Sequence, residues 1–331
     1  MMRLFKKLFI IGVLAILIAS AWLAYYAVTP LNLKPTSQEI TIAPKSSLKS
    51  IAQQLVQQEV LKEPWGFIIL AKLLRKEPSL QAGNYTLNKN VSPYQLLLSL
   101  NNGKATQGSL TFIEGRTFAQ MRKKMKQNDA LKQTVATLSE SEILKQMGSS
   151  YSKAEGLFFP DTFYFDRGTA DTVVLQRSYD AMQTKLAKAW EGRAANLPYK
   201  NSYEALIMAS IVEKETGKAS ERPMIAGVFI NRLRKGMRLQ TDPTVIYGMG
   251  EDYDGNIRKK DLLTDTPYNT YTREGLPPTP IAMPGLAAIE AALHPEETKA
   301  LYFVGKGDGS HAFTNNLQDH NRAVVKYQLK K

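Results

Sequence analysis

The chain has 331 residues, enough for two domains with a sizeable core. Lys and Arg number 43 against 30 Asp and Glu, a net charge of +13; this suits an anionic membrane surface, an acidic polymer or a nucleic acid, and does not choose among them. There is no cysteine, which excludes disulfides and Cys-based metal or thiol chemistry.

Residues 1–7 carry Arg3, Lys6 and Lys7, and residues 8–28 then run without a charge. That span is about long enough to cross a bilayer as one helix, and Trp22, Tyr25 and Tyr26 stand near its far end as an interfacial belt. Basic residues precede it and none follows at once, so the expected topology is a cytoplasmic tail (1–7), a single-pass inner-membrane helix (8–28) and an exported remainder. A cleaved signal peptide is the rival reading: Ala19-Ser20-Ala21 matches a small-x-small site, but apolar sequence continues past it to Val28. Residues 29–38 read as a Pro-containing linker.

A strand–turn–helix pattern follows three times. Ile40–Ala43 is a strand, Lys45–Ser47 a turn and Leu48–Gln57 a helix with Leu48, Ile51, Ala52 and Leu55 on one face. Asn84–Leu87 leads through Asn88–Val91 into a helix over Pro93–Leu100, with Ser92 as cap and proline first. Leu110–Ile113 leads through Glu114–Arg116 into Phe118–Met125. Trp65–Leu74 is a further apolar helix. Units this small should pack on one another. They hold no nucleophile, histidine or metal cluster, so they read as a binding or spacing module, and the first two resemble the LysM-like module of membrane-anchored cell-wall enzymes. The module is placed at 39–105. A connecting strand–helix segment takes 106–150, with Asp129–Met147 helical.

Residues 151–331 read as one further segment of the chain. Glu155–Phe165 is crowded with aromatics and suits a core or a sugar-stacking wall. Ala170–Trp190 is an amphipathic helix. Ala205–Thr216 is apolar almost all round, so it should be buried, and it ends in Glu213, Lys214 and Glu215. A helix over Glu221–Arg234, capped by Ser220, should pair with it as an antiparallel hairpin. From Met237 the chain turns loop-rich, followed by a helix at Ala287–Leu293, a strand at Leu301–Val304, a turn over Gly305–Gly309, a return at Ala312–Thr314 and a basic helix over 321–331.

A carboxylate at the mouth of a buried helix suits acid catalysis, because burial and the negative helix end both raise its pKa. Glu213 stacks over Leu206, Ala209 and Ser210, while Glu215 points roughly 200° away. The two cannot converge on one bond, and a solvated helix end is the plain alternative for both. Nothing else competes. Gly305-Lys-Gly-Asp-Gly309 is a turn, not a phosphate loop. His294, His311 and His320 lack metalloprotease spacing, so no metal is expected, nor any cofactor. No G-x-S-x-G occurs, and the spread-out basic residues carry no nucleic-acid motif.

The segments Glu155–Phe163, Ala209–Thr216, Val228–Leu233, Leu239–Gly248, Tyr268–Tyr271, Gly275–Pro278, Leu301–Val304 and His311–Phe313, in this order, resemble the MltG (YceG-like) endolytic murein transglycosylases. The chain departs from the family pattern at Thr279 and Met283. The resemblance implies a mixed α/β catalytic domain over 151–331, peptidoglycan glycan strands as substrate, cut internally near the inner membrane, and penicillin-binding synthases as partners. It implies Glu213, the first glutamate of Val-Glu-Lys-Glu, as the catalytic residue. Gln240, Asp242, Thr244, Tyr247, Tyr268, Asn269 and Tyr271 are the candidates for lining the cleft. A transglycosylase can work with one carboxyl, acid then base, whereas an ordinary glycosidase needs two; a hydrolase would have to recruit Asp242, Asp265 or Glu274. A non-catalytic, membrane-anchored peptidoglycan-binding scaffold is the alternative of a different class.

Overall fold

The structure, a computed structural model, describes residues 2–31, 33, 37–76, 80–102 and 107–329. Parts of the expected linker 29–38, the end of the 39–105 module and the last two residues of the basic helix lie outside the described residues. The chain forms two compact units, one of residues 1–109 and 164–169, the other of 110–163 and 170–331.

In the first unit, α1 (Met2–Val28) contains the segment Lys6–Val28, long and apolar enough to cross a membrane and exposed over most of its length. Its last turns join the unit's core through Leu23, Tyr26 and Ala27. Tyr26 lies so close over Gly66 that a Cβ there would come within 2.8 Å of the ring. Strand β1 (Ser37–Ile42) precedes α2 (Leu48–Gln57) and α3 (Trp65–Leu73); β2 (Gly83–Asn88) precedes α4 (Pro93–Asn101). The strands pair antiparallel from Ser37↔Asn88 to Ile42↔Gly83. Alternation sends Ile40, Ile42, Tyr85 and Leu87 to one face, where they meet Leu55, Phe67, Leu96 and Leu100. Ser92 caps α4 in a reciprocal box with Gln95.

The third strand–turn–helix unit does not join the first two. Strand β3 (Gln107–Thr111) pairs with β5 (Thr162–Asp166), and from Leu110 the chain belongs to the second unit. There Thr111 and Thr162 join hydroxyls at 2.9 Å, and α5 (Phe118–Lys126) follows a capping box of Thr117 and Gln120. Asp129–Met147 is not one helix. It holds a two-residue strand, β4 (Leu131–Lys132), and a short α6 (Glu140–Gln146) that begins only where Ser139 and Glu142 supply caps. After β5 and β6 (Thr169–Ala170) come α7 (Asp171–Glu191), α8 (Ser202–Glu215) and α9 (Arg222–Arg234).

Ala205 to Val212 of α8 are buried without a break, because α7, α9 and α12 (Leu286–Leu293) all pack around it. Ser220 does not cap α9; a 3-10 turn over Ala219–Glu221 leads directly into it, and Pro223 occupies the first turn. The segment after Met237 is less irregular than its sequence suggests. It forms α10 (Asp242–Met249), entered through Asp242-Pro243, and α11 (Lys259–Leu263). The hairpin of β7 (Tyr302–Gly305) and β8 (His311–Thr314) runs from Tyr302↔Thr314 to Gly305↔His311. The last helix, α13, begins earlier than expected, at Leu317, because Asn316 caps it.

Candidate active site

The end of α8 sends its two glutamates into different surroundings. Glu213 accepts from Arg222 at 3.1 Å and from the Gly285 amide at 3.0 Å. Both side chains of that ion pair are nearly buried, 6% exposed for Glu213 and 11% for Arg222. The Glu114 carboxylate lies over Gly285, where an added Cβ would collide with it. Burial pushes the Glu213 carboxyl up, and Glu114 adds to this; the Gly285 amide and the Arg222 guanidinium oppose it. The group has an acid's burial but a structural residue's partners.

Glu215 faces a polar cavity of about 410 Å³ that it lines together with Gln240, Thr241, Asp242, Tyr271 and Tyr302; Glu213 is not part of that lining. The Thr241 hydroxyl donates to the Glu215 carboxylate. Burial pushes the Glu215 carboxyl up to about 7 against that hydrogen bond, and the charge of Asp242 adds to the rise.

The walls of this cavity are braced from behind. Arg232 of α9 donates to the carbonyls of Leu301 (2.6 Å), Arg238 (3.1 Å) and Leu239 (2.9 Å) and to Gln240 Oε1 (3.2 Å), so it holds β7 and the approach to α10 at once. Its guanidinium also sits 5.0 Å from the centre of the Tyr302 ring. Gln240 has φ 51, a left-handed backbone uncommon outside glycine, and its amide donates to the Thr270 carbonyl at 3.1 Å. Asp242 opens α10 and accepts from the Tyr271 hydroxyl at 2.6 Å.

The seven expected cleft residues therefore separate into three groups. Gln240, Asp242 and Tyr271 line the cavity with Glu215. Thr244 and Asn269 are buried and do not line it. Thr244 spends its hydroxyl on the Thr241 carbonyl (2.7 Å) and on Thr270 (2.8 Å), bracing the start of α10. The Asn269 amide caps the carbonyls of Asp261, Leu262 and Thr264. Tyr247 and Tyr268 pack edge to face at 4.8 Å away from that lining, with Tyr247 donating to Glu155 at 3.1 Å and Tyr268 bonded to Thr279 at 2.9 Å. Glu155 also accepts from the Phe118 amide at the start of α5, at 3.0 Å, and burial raises it to about 7. Of the carboxylates a hydrolase could recruit, Asp242 is in the cavity, while Asp265 is held on the surface by Arg273 at 2.8 Å, which keeps it down at about 2.

Sequence reasoning missed Thr241, which stands between two residues it singled out, and Arg232, whose side chain reads as the polar edge of an amphipathic helix. Both lie in segments that carry the family resemblance, but no spacing or periodicity singles either one out. Among the described residues no cluster of three or more His, Asp or Glu side chains could hold a metal ion.

A buried helix hairpin with acid groups at its open end, joined to a strand–helix module and an apolar N-terminal helix, defines a mixed α/β protein of the YceG-like family: the family's model matches residues 40–326, and the chain belongs to that family. It is 32% identical over 314 residues to the endolytic murein transglycosylase of Bacillus subtilis, covering 88% of this chain and 85% of that protein. It is 30% identical over 317 residues to the endolytic murein transglycosylase of Streptococcus pneumoniae, covering 85% of this chain but only 57% of the longer relative. The crystal structure of a YceG-like protein from Listeria monocytogenes matches with a TM-score of 0.56 at 30% identity, over 87% of this chain and 98% of the other.

Proposed function

We propose that this chain is a membrane-anchored lytic murein transglycosylase, and that Glu215 is its acid. The substrate is the glycan strand of peptidoglycan, cut internally between N-acetylmuramic acid and N-acetylglucosamine to leave 1,6-anhydro ends, which terminates nascent strands. The observation that carries the reading is the cavity at the end of α8, where a carboxyl raised to about 7 meets open space in a chain whose relatives bear that name.

Glu215, protonated, gives its proton to the glycosidic oxygen, and the C1–O bond breaks with its electron pair going to the leaving sugar. The C6 hydroxyl of the same muramic acid attacks C1 and surrenders its proton to the Glu215 carboxylate. One group is acid and then base. Glu213, the residue the family resemblance pointed to, is the second reading; its raised pKa favours it. Against it stand Arg222 and the Gly285 amide, which occupy both carboxylate oxygens and favour the charged form.

The apolar α1 supports a single-pass anchor with the N-terminus in the cytoplasm and the rest in the periplasm. The first unit's strand–helix pairs support a LysM-like module at 39–105 that binds or spaces the strand, and peptidoglycan synthases are the proposed partner class. The test compares Glu215→Gln and Glu213→Gln on uncrosslinked strands. Loss of anhydro ends in the first with their retention in the second supports the assignment. The reverse pattern transfers the acid to Glu213, cleavage by both variants places the acid on another residue, and no cleavage by the parent, with strands still bound, leaves a non-catalytic scaffold.

A further inference from the structure

Two carboxylates line the cavity, and the fold treats them oppositely. Glu215 closes α8 and Asp242 opens α10. Negative charge is disfavoured at the carbonyl end of a helix and favoured at the amide end. Glu215 is also largely withdrawn from solvent, whereas Asp242 is exposed and holds the Tyr271 hydroxyl at 2.6 Å. The two are set by one stretch of chain: Thr241, which donates to Glu215, is the residue before Asp242. That stretch is fixed on both sides, by the left-handed Gln240 with its bonds to Thr270 and Arg232 and by Thr244 folded back on Thr241. A carboxyl withdrawn from solvent and a solvent-exposed one on the wall of the same cavity suit the roles of an acid and its partner.

Resting on the transglycosylase reading above, we propose that Asp242, held by Tyr271, is a second catalytic carboxylate: it accepts the acetamido N–H of the reacting N-acetylmuramic acid and stabilises the positive charge that develops at C1. It takes no proton and forms no bond to carbon. The electron pair of the C1–O bond leaves with the departing sugar, the proton cycle stays with Glu215, and the acetamido group spreads the cationic charge toward its nitrogen, where Asp242 stands. An anionic acceptor there is worth more in the transition state than in the ground state, because the charge it meets exists only as the bond breaks. Tyr271 acts as a positioning residue: its hydroxyl holds one oxygen of the carboxylate at the wall of the cavity that both residues line.

The experiment uses the full chain in detergent micelles with uncrosslinked glycan strands, and measures kcat, KM, strand binding, melting temperature and the chemistry of the new ends. Asp242→Asn is expected to lower kcat by about 100-fold, with KM, binding and melting near those of the parent and the residual ends still anhydro. Its pH profile should fall off at lower pH than the parent's, because the anion that helps keep Glu215 protonated is gone. Tyr271→Phe should lower kcat by about tenfold. A kcat within threefold of the parent overturns the proposal, as does a defect confined to KM. Reducing ends from the parent overturn it too, because Asp242 would then be serving water as a base. Should Asp242→Asn melt early, Tyr271→Phe decides, since it leaves the carboxylate in place: an unchanged kcat overturns the proposal. A failure of the underlying reading is seen separately. Glu215→Gln that still makes anhydro ends removes the acid, whereas an inactive Glu215→Gln beside a fully active Asp242→Asn removes only the role of Asp242.

Discussion

Replacing Glu213 with glutamine separates a structural role at the end of α8 from a catalytic one. The side chain neutralises Arg222 across 3.1 Å, and both partners are nearly buried. The Arg222 Nε already has no partner among the described residues, so loss of the charge leaves a buried guanidinium uncompensated. Breaking a fully buried pair from one side costs about 3–5 kcal/mol. Glutamine keeps an acceptor for the Gly285 amide, and the arginine retains some solvent contact, so about 2–3 kcal/mol is expected. For a unit of this size that is a fall in melting temperature of roughly 5–10 °C. Cleavage per folded molecule should stay within about fivefold of the parent, because Arg222 and Gly285 are not in the lining of the cavity. Thermal melting by circular dichroism, paired with strand cleavage below the transition, measures both quantities. A Glu213→Gln protein that melts like the parent yet cleaves nothing would refute the reasoning and make Glu213 the acid.

The remaining predictions concern pH and backbone. Glu215 and Glu155 are both raised to about 7 by burial; the folded state then binds more protons than the unfolded one between their ordinary values and 7, so stability should fall as pH rises through that window and level off above it. Chemical denaturation between pH 4.5 and 8 checks the sign. Activity should decline above pH 7 by about tenfold per unit, as the acid loses its proton; a profile flat to pH 9 would remove Glu215 as the acid. Gly156 has φ +79, and a Cβ there would collide with Pro280. Gly156→Ala should therefore cost about 2–4 kcal/mol from strain and overpacking together, read as a lower denaturant midpoint with an unchanged slope.

The elements legible along the chain were those governed by neighbours in sequence. The run from Ala205 to Val212 announces a helix buried on all sides, and Ser92 with Pro93 announces a capped start, because period and capping are local properties. What depended on distant partners was not legible. Leu110–Thr111 reads like the two strands before it, yet its strand, β3, pairs with β5 and not with β1 or β2, and nothing in its own residues names that partner. The helical period correctly places Glu213 and Glu215 on different faces but does not say which face opens. That is decided by Arg222 and Gly285, which close over one glutamate, and by Thr241 and Asp242, which meet the other. The stretch after Met237 reads as loop, because Asp-Pro occurs in turns as well as at helix starts; the burial of Thr244 and Val245 goes with its forming α10.

The most direct test of the central claim incubates the 331-residue chain and its Glu215→Gln variant with uncrosslinked glycan strands and identifies the new chain ends by mass spectrometry. The account predicts 1,6-anhydro ends from the parent and none above background from the variant, with the variant melting no lower than the parent, because glutamine mimics the protonated acid. Anhydro ends from Glu215→Gln at the parent's rate, or reducing ends from the parent, would contradict it.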